Sequence, residues 1–428
     1  MANPRETLIT SYGIYEQSPV VGNDPGFGQK ENKESYHMKK ILIAVMALAL
    51  VAVAASAQAD EKYVSGGFEA AGHVNVGAGY QHQNNRTPTY VTFDGDTFYG
   101  PGPIGKYLAS TPTNRSDHFQ FFVDEVELDL MKSFGENVRL RADLDFGRAA
   151  SGAGNWVNAF TLEQAYATAN IPVGNGIEFL LGRFNAPMGF EAVDINENDT
   201  ISKSALVTGL RPANMTGMKI YYAFSDLVDL HFYVVNTLYQ DSDVKVNDVP
   251  SLGFRLGFNW GEEGTESTVG ISGFFGPESR QSNKHFTFGA DLDVNWWITE
   301  SFALGLEALF ARWDAVTNTT GVVAGVNTNY LSGLLNLHYV FSDVWDGTLK
   351  YVFAKQFKPA ASTAFNPGNL TGFQQSLHQI ALAGGYAIAD GAKLKLEGRF
   401  DIVKPANFFP AGRTQYVMGG ALAFCYDF

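Results

Sequence analysis

Gln415-Tyr416-Val417-Met418-Gly419-Gly420-Ala421-Leu422-Ala423-Phe424-Cys425-Tyr426-Asp427-Phe428 ends the chain and alternates without a break. Successive side chains of a strand point to opposite sides. Tyr416, Met418, Gly420, Leu422, Phe424, Tyr426 and Phe428 therefore share one face, and Gln415, Val417, Gly419, Ala421, Ala423, Cys425 and Asp427 share the other. A soluble sheet showing such a row at an edge would recruit other chains. A strand facing lipid has the opposite need, an apolar outside and a quieter inside.

The same period recurs upstream. Val138, Leu140, Ala142, Leu144 and Phe146 alternate with Arg139, Arg141, Asp143 and Asp145. Leu252, Phe254, Leu256, Phe258 and Trp260 alternate with Gly253, Arg255, Gly257 and Asn259. Phe286, Phe288, Ala290, Leu292, Val294 and Trp296 face away from Asp291, Asp293 and Asn295. Leu394, Leu396, Gly398, Phe400 and Ile402 face away from Lys393, Lys395, Glu397, Arg399 and Asp401. One face is aliphatic and aromatic, the other charged, which fits either a soluble sandwich or a membrane barrel.

Strand number and loop length separate the two. About 16 strands are readable, with 14 to 18 open. They start near Val64, His118, Val138, Val157, Ile177, Thr216, Leu227, Ser251, Ser267, His285, Phe302, Tyr330, Thr348, Ser376, Lys393 and Thr414. Short connections (Lys132–Asn137, Pro172–Gly176, Ser225–Asp226, Thr299–Ser301) take turns with longer ones (Gln81–Asp117, Phe184–Met215, Asn236–Pro250, Lys358–Gln375). Short turns on one side and long loops on the other are the habit of outer-membrane barrels. The expected fold is all-β, a transmembrane antiparallel up-and-down barrel with both termini in the periplasm.

An export signal agrees. Met38-Lys39-Lys40 opens an apolar run from Ile41 to Ala55, and Ser56-Ala57-Gln58-Ala59-Asp60 follows with an Ala-x-Ala pattern. A charged start, an apolar middle and small residues read as a signal peptide over 38–59, cleaved after Ala59. The run is too short for a spanning helix. Residues 1–37 precede it, polar and aperiodic, and read as a non-native upstream extension. The barrel is expected over 60–428, in a Gram-negative outer membrane.

Composition excludes other classes. The net charge is −14 and only 17% of residues are charged, so there is no basic footprint for nucleic acid. Aromatics reach 14% and Gly 45, rich in strand and turn formers, while a mean hydropathy of −0.08 is too polar for a helical membrane protein. One cysteine, Cys425, rules out an internal disulfide. It is expected inward, near the periplasmic rim, and inert.

A packed interior would not tolerate the charges on the inner face, but a water-filled lumen would. Glu125, Glu127, Asp129, Asp143, Asp145, Asp291, Asp293 and Glu397 are expected to line it with Arg139, Arg141, Lys219, Arg255, Lys393, Lys395 and Arg399. Asp229, Glu307 and Asp401 join them. Facing charges of both signs set up a transverse field that favours polar solutes, and the acid excess leans toward cations. The connection Phe184–Met215 exceeds what a hairpin needs. It is the candidate for a segment folded into the pore, with Glu191, Asp194, Glu197, Asp199 and Arg211 at the constriction. An extracellular flap is the other reading.

The run Asp194-Ile195-Asn196-Glu197-Asn198-Asp199 lacks the spacing and Gly of a known calcium loop, so no metal is expected from it. No zincin pair, phosphate loop or nucleophile elbow is present. Ser376 and His378 share a strand face without a third partner. No catalytic residue, cofactor or enzyme activity is expected.

A terminal strand ending on an aromatic resembles the signal read by the barrel-assembly machinery, with Phe424, Tyr426 and Phe428 carrying it. A family resemblance is more local. Glu163-Gln164-Ala165-Tyr166, Pro172-Val173-Gly174-Asn175-Gly176, Leu181-Gly182-Arg183-Phe184-Asn185-Ala186-Pro187-Met188-Gly189-Phe190-Glu191 and Thr216-Gly217-Met218-Lys219-Ile220-Tyr221-Tyr222 resemble the OmpL-like β-barrel porin family. They are similar, more distantly, to the phosphate-selective porins. The resemblance covers about Leu162–Asn236 and implies a general pore. The basic ladder of a phosphate-selective pore is not evident, so that specificity is not carried over.

The expected function is passive diffusion of small hydrophilic solutes or ions. The expected partners are outer-membrane lipid, lipopolysaccharide and the assembly machinery, and a homo-trimer is compatible. The alternative is a non-conducting barrel, a sheath for an electron-transfer partner or a surface-binding protein.

Overall fold

The computed structural model describes residues 68–83, 91–93, 96–98, 117–146, 161–239, 248–278, 283, 286–315, 326–357, 376–404 and 415–428. The expected extension over 1–37 and the signal peptide over 38–59 lie outside them.

Eighteen strands follow in chain order: β1 (Phe68–Gln83), β2 (Val91–Phe93), β3 (Asp96–Phe98), β4 (Asp117–Phe134), β5 (Val138–Asp145), β6 (Thr161–Ile171), β7 (Ile177–Asn185), β8 (Asn214–Ala223), β9 (Val228–Val235), β10 (Ser251–Trp260), β11 (Ser267–Pro277), β12 (Phe286–Thr299), β13 (Phe302–Ala315), β14 (Val326–Ser342), β15 (Trp345–Phe357), β16 (Ser376–Ala389), β17 (Ala392–Lys404) and β18 (Gln415–Asp427). β2 and β3 pair only with each other, inside the first long connection. The other 16 form one closed antiparallel barrel in sequence order, shut by β1 against β18. The expected starts all fall within four residues of the observed ones. Closure removes every free edge, which is how a sheet satisfies its backbone in lipid.

The alternation sorts as expected. In β12, Phe288, Leu292 and Trp296 are exposed while Thr287, Asp291 and Asp293 are buried. In β18, Met418, Leu422, Phe424 and Tyr426 point out while Val417, Ala421, Ala423 and Cys425 point in. The Cys425 thiol lies 3.5 Å from Asn75 Oδ1.

Of five register shifts among the described residues, three sit beside short turns and two lie within the wall and break the period there. β4 shifts register where Asn75 pairs with Glu125 and Val76 with Val123, so Asp124 and Glu125 both turn inward. β6 shifts where Asp143 pairs with Gln164 and Leu144 with Leu162, so Glu163 and Gln164 do the same. A bulge inserts one extra residue and re-aims the side chains beside it.

The wall is uneven. β5–β11 are 8 to 11 residues long. β1, β4 and β12–β18 are 13 to 18 residues long.

Candidate functional site

After β7 the chain does not turn back. Residues 186–213 fold into the barrel before β8 begins. Ala186, Met188, Leu206 and Leu210 pack against Leu180, Phe184, Met215, Tyr233 and Val235 of the near wall. The same cluster includes Leu309, Tyr330, Leu334, Val352 and Leu377 on β13–β16. One apolar core thus joins both sides of the interior. Fully burying a leucine contributes about 1.5–3 kcal/mol, and Leu206 is wholly buried. Gly305 on β13 leaves room for the Phe190 ring, which a Cβ there would strike.

An irregular backbone inside a barrel must find partners for its N–H groups. Wall side chains supply them. Glu307 accepts the Phe190 N–H at 2.8 Å, Glu125 that of Ile195 at 2.8 Å, and Gln379 that of Ala205 at 3.0 Å. Glu397 accepts the N–H groups of Ile201 and Ser202 at 2.6 and 3.0 Å and the Ser202 hydroxyl. Cations serve the carbonyls. Lys350 donates to Glu191 Oε1 at 2.5 Å and to the Ser202 carbonyl at 2.6 Å, and Lys395 to the Asn198 carbonyl at 2.5 Å. Arg399 donates to the Lys203 carbonyl at 3.2 Å. The segment ends on a π-helical turn, Leu206–Leu210. Arg211 then reaches back to the carbonyls of Met188 and Glu191 and lies 3.5 Å from Glu307. Its guanidinium passes over Gly189, whose φ of 85° suits glycine.

Of the five residues expected at a constriction, Glu191 and Arg211 are buried in these ties. Asp199 accepts from Asn336 at 2.7 Å and lies 3.4 Å from His338. Asp194 is buried beside Glu163 and Glu127. Glu197 stays exposed.

The residues expected on the inner wall all fall on the inward face, in different settings. Glu125, Glu127, Asp143, Asp291, Asp293, Lys395 and Glu397 are buried. Arg141 bridges Asp143 at 2.7 Å and Asp129 at 3.4 Å, beside the half-buried Asp145. Arg255 pairs with Asp293 at 3.0 Å, and Arg399 with Asp401 at 2.9 Å. Lys219 lies over the Phe184 ring at 5.5 Å. Lys393 and Arg139 sit at the short-turn mouth, Lys393 with Asp346 at 2.5 Å and Arg139 with Glu69 at 3.7 Å. Asp229 and Glu307 are buried as well. His378 meets the Tyr351 hydroxyl at 2.9 Å.

Two groups of the inward segment are shifted in opposite directions. Burial would raise the Glu191 carboxyl, but the Lys350 ammonium and the hydrogen bonds from Ser204 together outweigh it and hold the group below its usual range. Burial, then the Glu163 carboxylate, push Asp194 up to about 9.

Sequence reasoning missed Asp124 and Glu163, which the bulges turn inward, and Lys350, Gln379 and Asn336. Lys350 carried a signal: it stands between Leu349 and Tyr351, both exposed.

The barrel is similar to several solved porins at low identity. The outer membrane channel DcaP of Acinetobacter baumannii superposes with a TM-score of 0.58 at 12% identity, covering 84% of this chain and 97% of that one. An anion-selective porin from Comamonas acidovorans gives 0.51 at 12%, covering 85% and 100%. OprB of Pseudomonas putida gives 0.50 at 10%, covering 85% and 94%. A comparison with curated proteins found no match by sequence. Residues 67–426 match the family described as "Putative beta-barrel porin-2, OmpL-like". That match runs far beyond the resemblance at Leu162–Asn236, and the chain belongs to this family of outer-membrane channel barrels.

Proposed function

We propose that the barrel passes small hydrophilic solutes and ions by diffusion, with a preference for cations, and that residues 186–213 set its narrowest passage. The carrying observation is an interior segment tied to charged walls on β4, β13, β15 and β17. Buried acids outnumber buried bases in this interior, and a net negative lumen favours cations. A sheath fits less well, because the chain's own segment takes the space a second protein would need. The test is the reversal potential of the purified protein in a planar bilayer under a tenfold KCl gradient. A cation-selective sign is expected, and an anion-selective sign sinks the preference.

The remaining assignments belong to the same proposal. The signal over 38–59 exports the chain, and Phe424, Tyr426 and Phe428 present it to the assembly machinery. The outer face then meets lipid and lipopolysaccharide. A homo-trimer is favoured by the short wall, β5–β11, whose shortest strands fall short of the apolar band.

A further inference from the structure

Three overlapping groups of carboxylates lie where β4, β5 and β6 meet the inward segment. They are Glu125 with Asp145 and Glu163, Glu127 with Glu163 and Asp194, and Glu127 with Asp129 and Asp143. Two of them have positive partners. Arg141 lies 2.7 Å from Asp143 and 3.4 Å from Asp129. Lys203 and His73 lie 3.3 and 3.2 Å from Glu125.

The middle group differs. Among the described residues, no cation lies within ion-pair distance of Glu127, Glu163 or Asp194. All three are more than nine-tenths buried. Glu127 Oε2 and Asp194 Oδ1 are fully enclosed and have no hydrogen-bond partner. The amide of Asn214 reaches Glu163 Oε1 only at 3.5 Å. Leaving buried carboxylate oxygens unsatisfied is costly, and three acids together repel when ionised.

One oxygen from each of the three lies within 4.8 Å of the others. Three oxygens that close lie within about 2.8 Å of a common centre, so small side-chain shifts bring all three to a Ca–O distance of about 2.3–2.6 Å. The ligands are hard oxygens with no nitrogen or sulfur, which suits calcium over zinc or copper. We propose that Glu127, Glu163 and Asp194 hold a calcium-class divalent cation that clamps the inward segment to β4 and β6. Glu127 and Glu163 belong to the wall and Asp194 to the segment, so the ion would bridge them as a further tie beside the wall hydrogen bonds and the apolar core. The clamp does not depend on which solute passes.

The test uses the full chain, refolded in detergent without lipopolysaccharide, which binds divalent cations itself. After a chelator wash, calcium is titrated by calorimetry. Saturable uptake of one ion per chain is expected, weakened at least tenfold in Asp194→Asn and in Glu127→Gln and unchanged in Asp346→Asn at the mouth. Absence of saturable wild-type uptake below 1 mM (roughly the weak end of calcium sites) overturns the proposal, as does uptake indifferent to both substitutions. If neither variant folds, trypsin decides on the wild type. Cleavage after Lys203 should slow several-fold with calcium, and equal rates with calcium and chelator overturn the clamp.

Discussion

The wall has a short side and a tall side. β5–β11 have 8 to 11 residues, and β1, β4 and β12–β18 have 13 to 18. At about 3.3 Å per residue and a tilt near 40°, 8 residues rise about 20 Å and 14 residues about 35 Å, against an apolar band of about 25 Å. The tall side covers the band with length to spare, and the shortest strands do not. Mismatch of this kind is relieved by thinning the bilayer or by oligomerising. The inward segment leaves from the short side, between β7 and β8, and docks on the tall side at Glu307, Lys350, Gln379 and Glu397. The tall wall acts as a dock, and the short wall is where the proposed homo-trimer would find its surface for a second copy.

The largest expected effect breaks the dock. Lys350→Met strands the Glu191 carboxylate in a buried site, and removing one partner of a buried pair costs about 3–5 kcal/mol. Trypsin should then cut the segment in the folded barrel, and resistance equal to wild type would remove Lys350 from the dock. Leu206→Ala comes next, at about 2–5 kcal/mol for a cavity in the core joining the two walls. Frequent brief current transitions are expected, and a quiet trace would place the docking energy elsewhere. A charge on the outer face tests the walls themselves. Leu382→Lys on the tall side should cost about 2–4 kcal/mol of barrel stability and leave the oligomer intact. Phe254→Lys on the short side should shift the oligomer toward monomer in light scattering. Equal behaviour of the two would erase the distinction.

Acidity tests the dock from both ends. The Glu191 carboxyl is held low, so its contribution is present above the ordinary glutamate range and lost as pH falls through the native value. Asp194 is held high, so its contribution is full below the ordinary aspartate range, about pH 4, and lost as pH rises toward about 9. In chelator, the protection of the segment's amides, taken against their intrinsic exchange rate at each pH, should therefore be highest in mild acid and lower at pH 8. A profile flat from pH 5 to 8 would contradict this. The smallest effect belongs to the mouth. Arg139→Ala loses an exposed 3.7 Å pair with Glu69, worth at most about 1 kcal/mol, and denaturant midpoints should barely move.

The alternation made the barrel readable, because lipid and lumen select opposite residue types at every second position. It misled at the two bulges, where Asp124 and Glu163 break the period and still point inward. It was silent at single apolar positions set among polar ones on the inner face, so the core of Leu334 on β14 and Val352 on β15 with Leu206 had no signature. Length alone marked Phe184–Met215 as able to enter the lumen. Its partners were invisible, since Glu191 meets Lys350 across 159 positions, and no local pattern encodes that pairing.

Single-channel recording of the wild type and Lys350→Met in planar bilayers tests the central claim most directly. Discrete steps from the wild type are expected, with steps several-fold larger from the variant once the inward segment is released. A folded wild-type barrel that stays electrically silent, or two proteins with equal steps, would contradict a channel narrowed by residues 186–213.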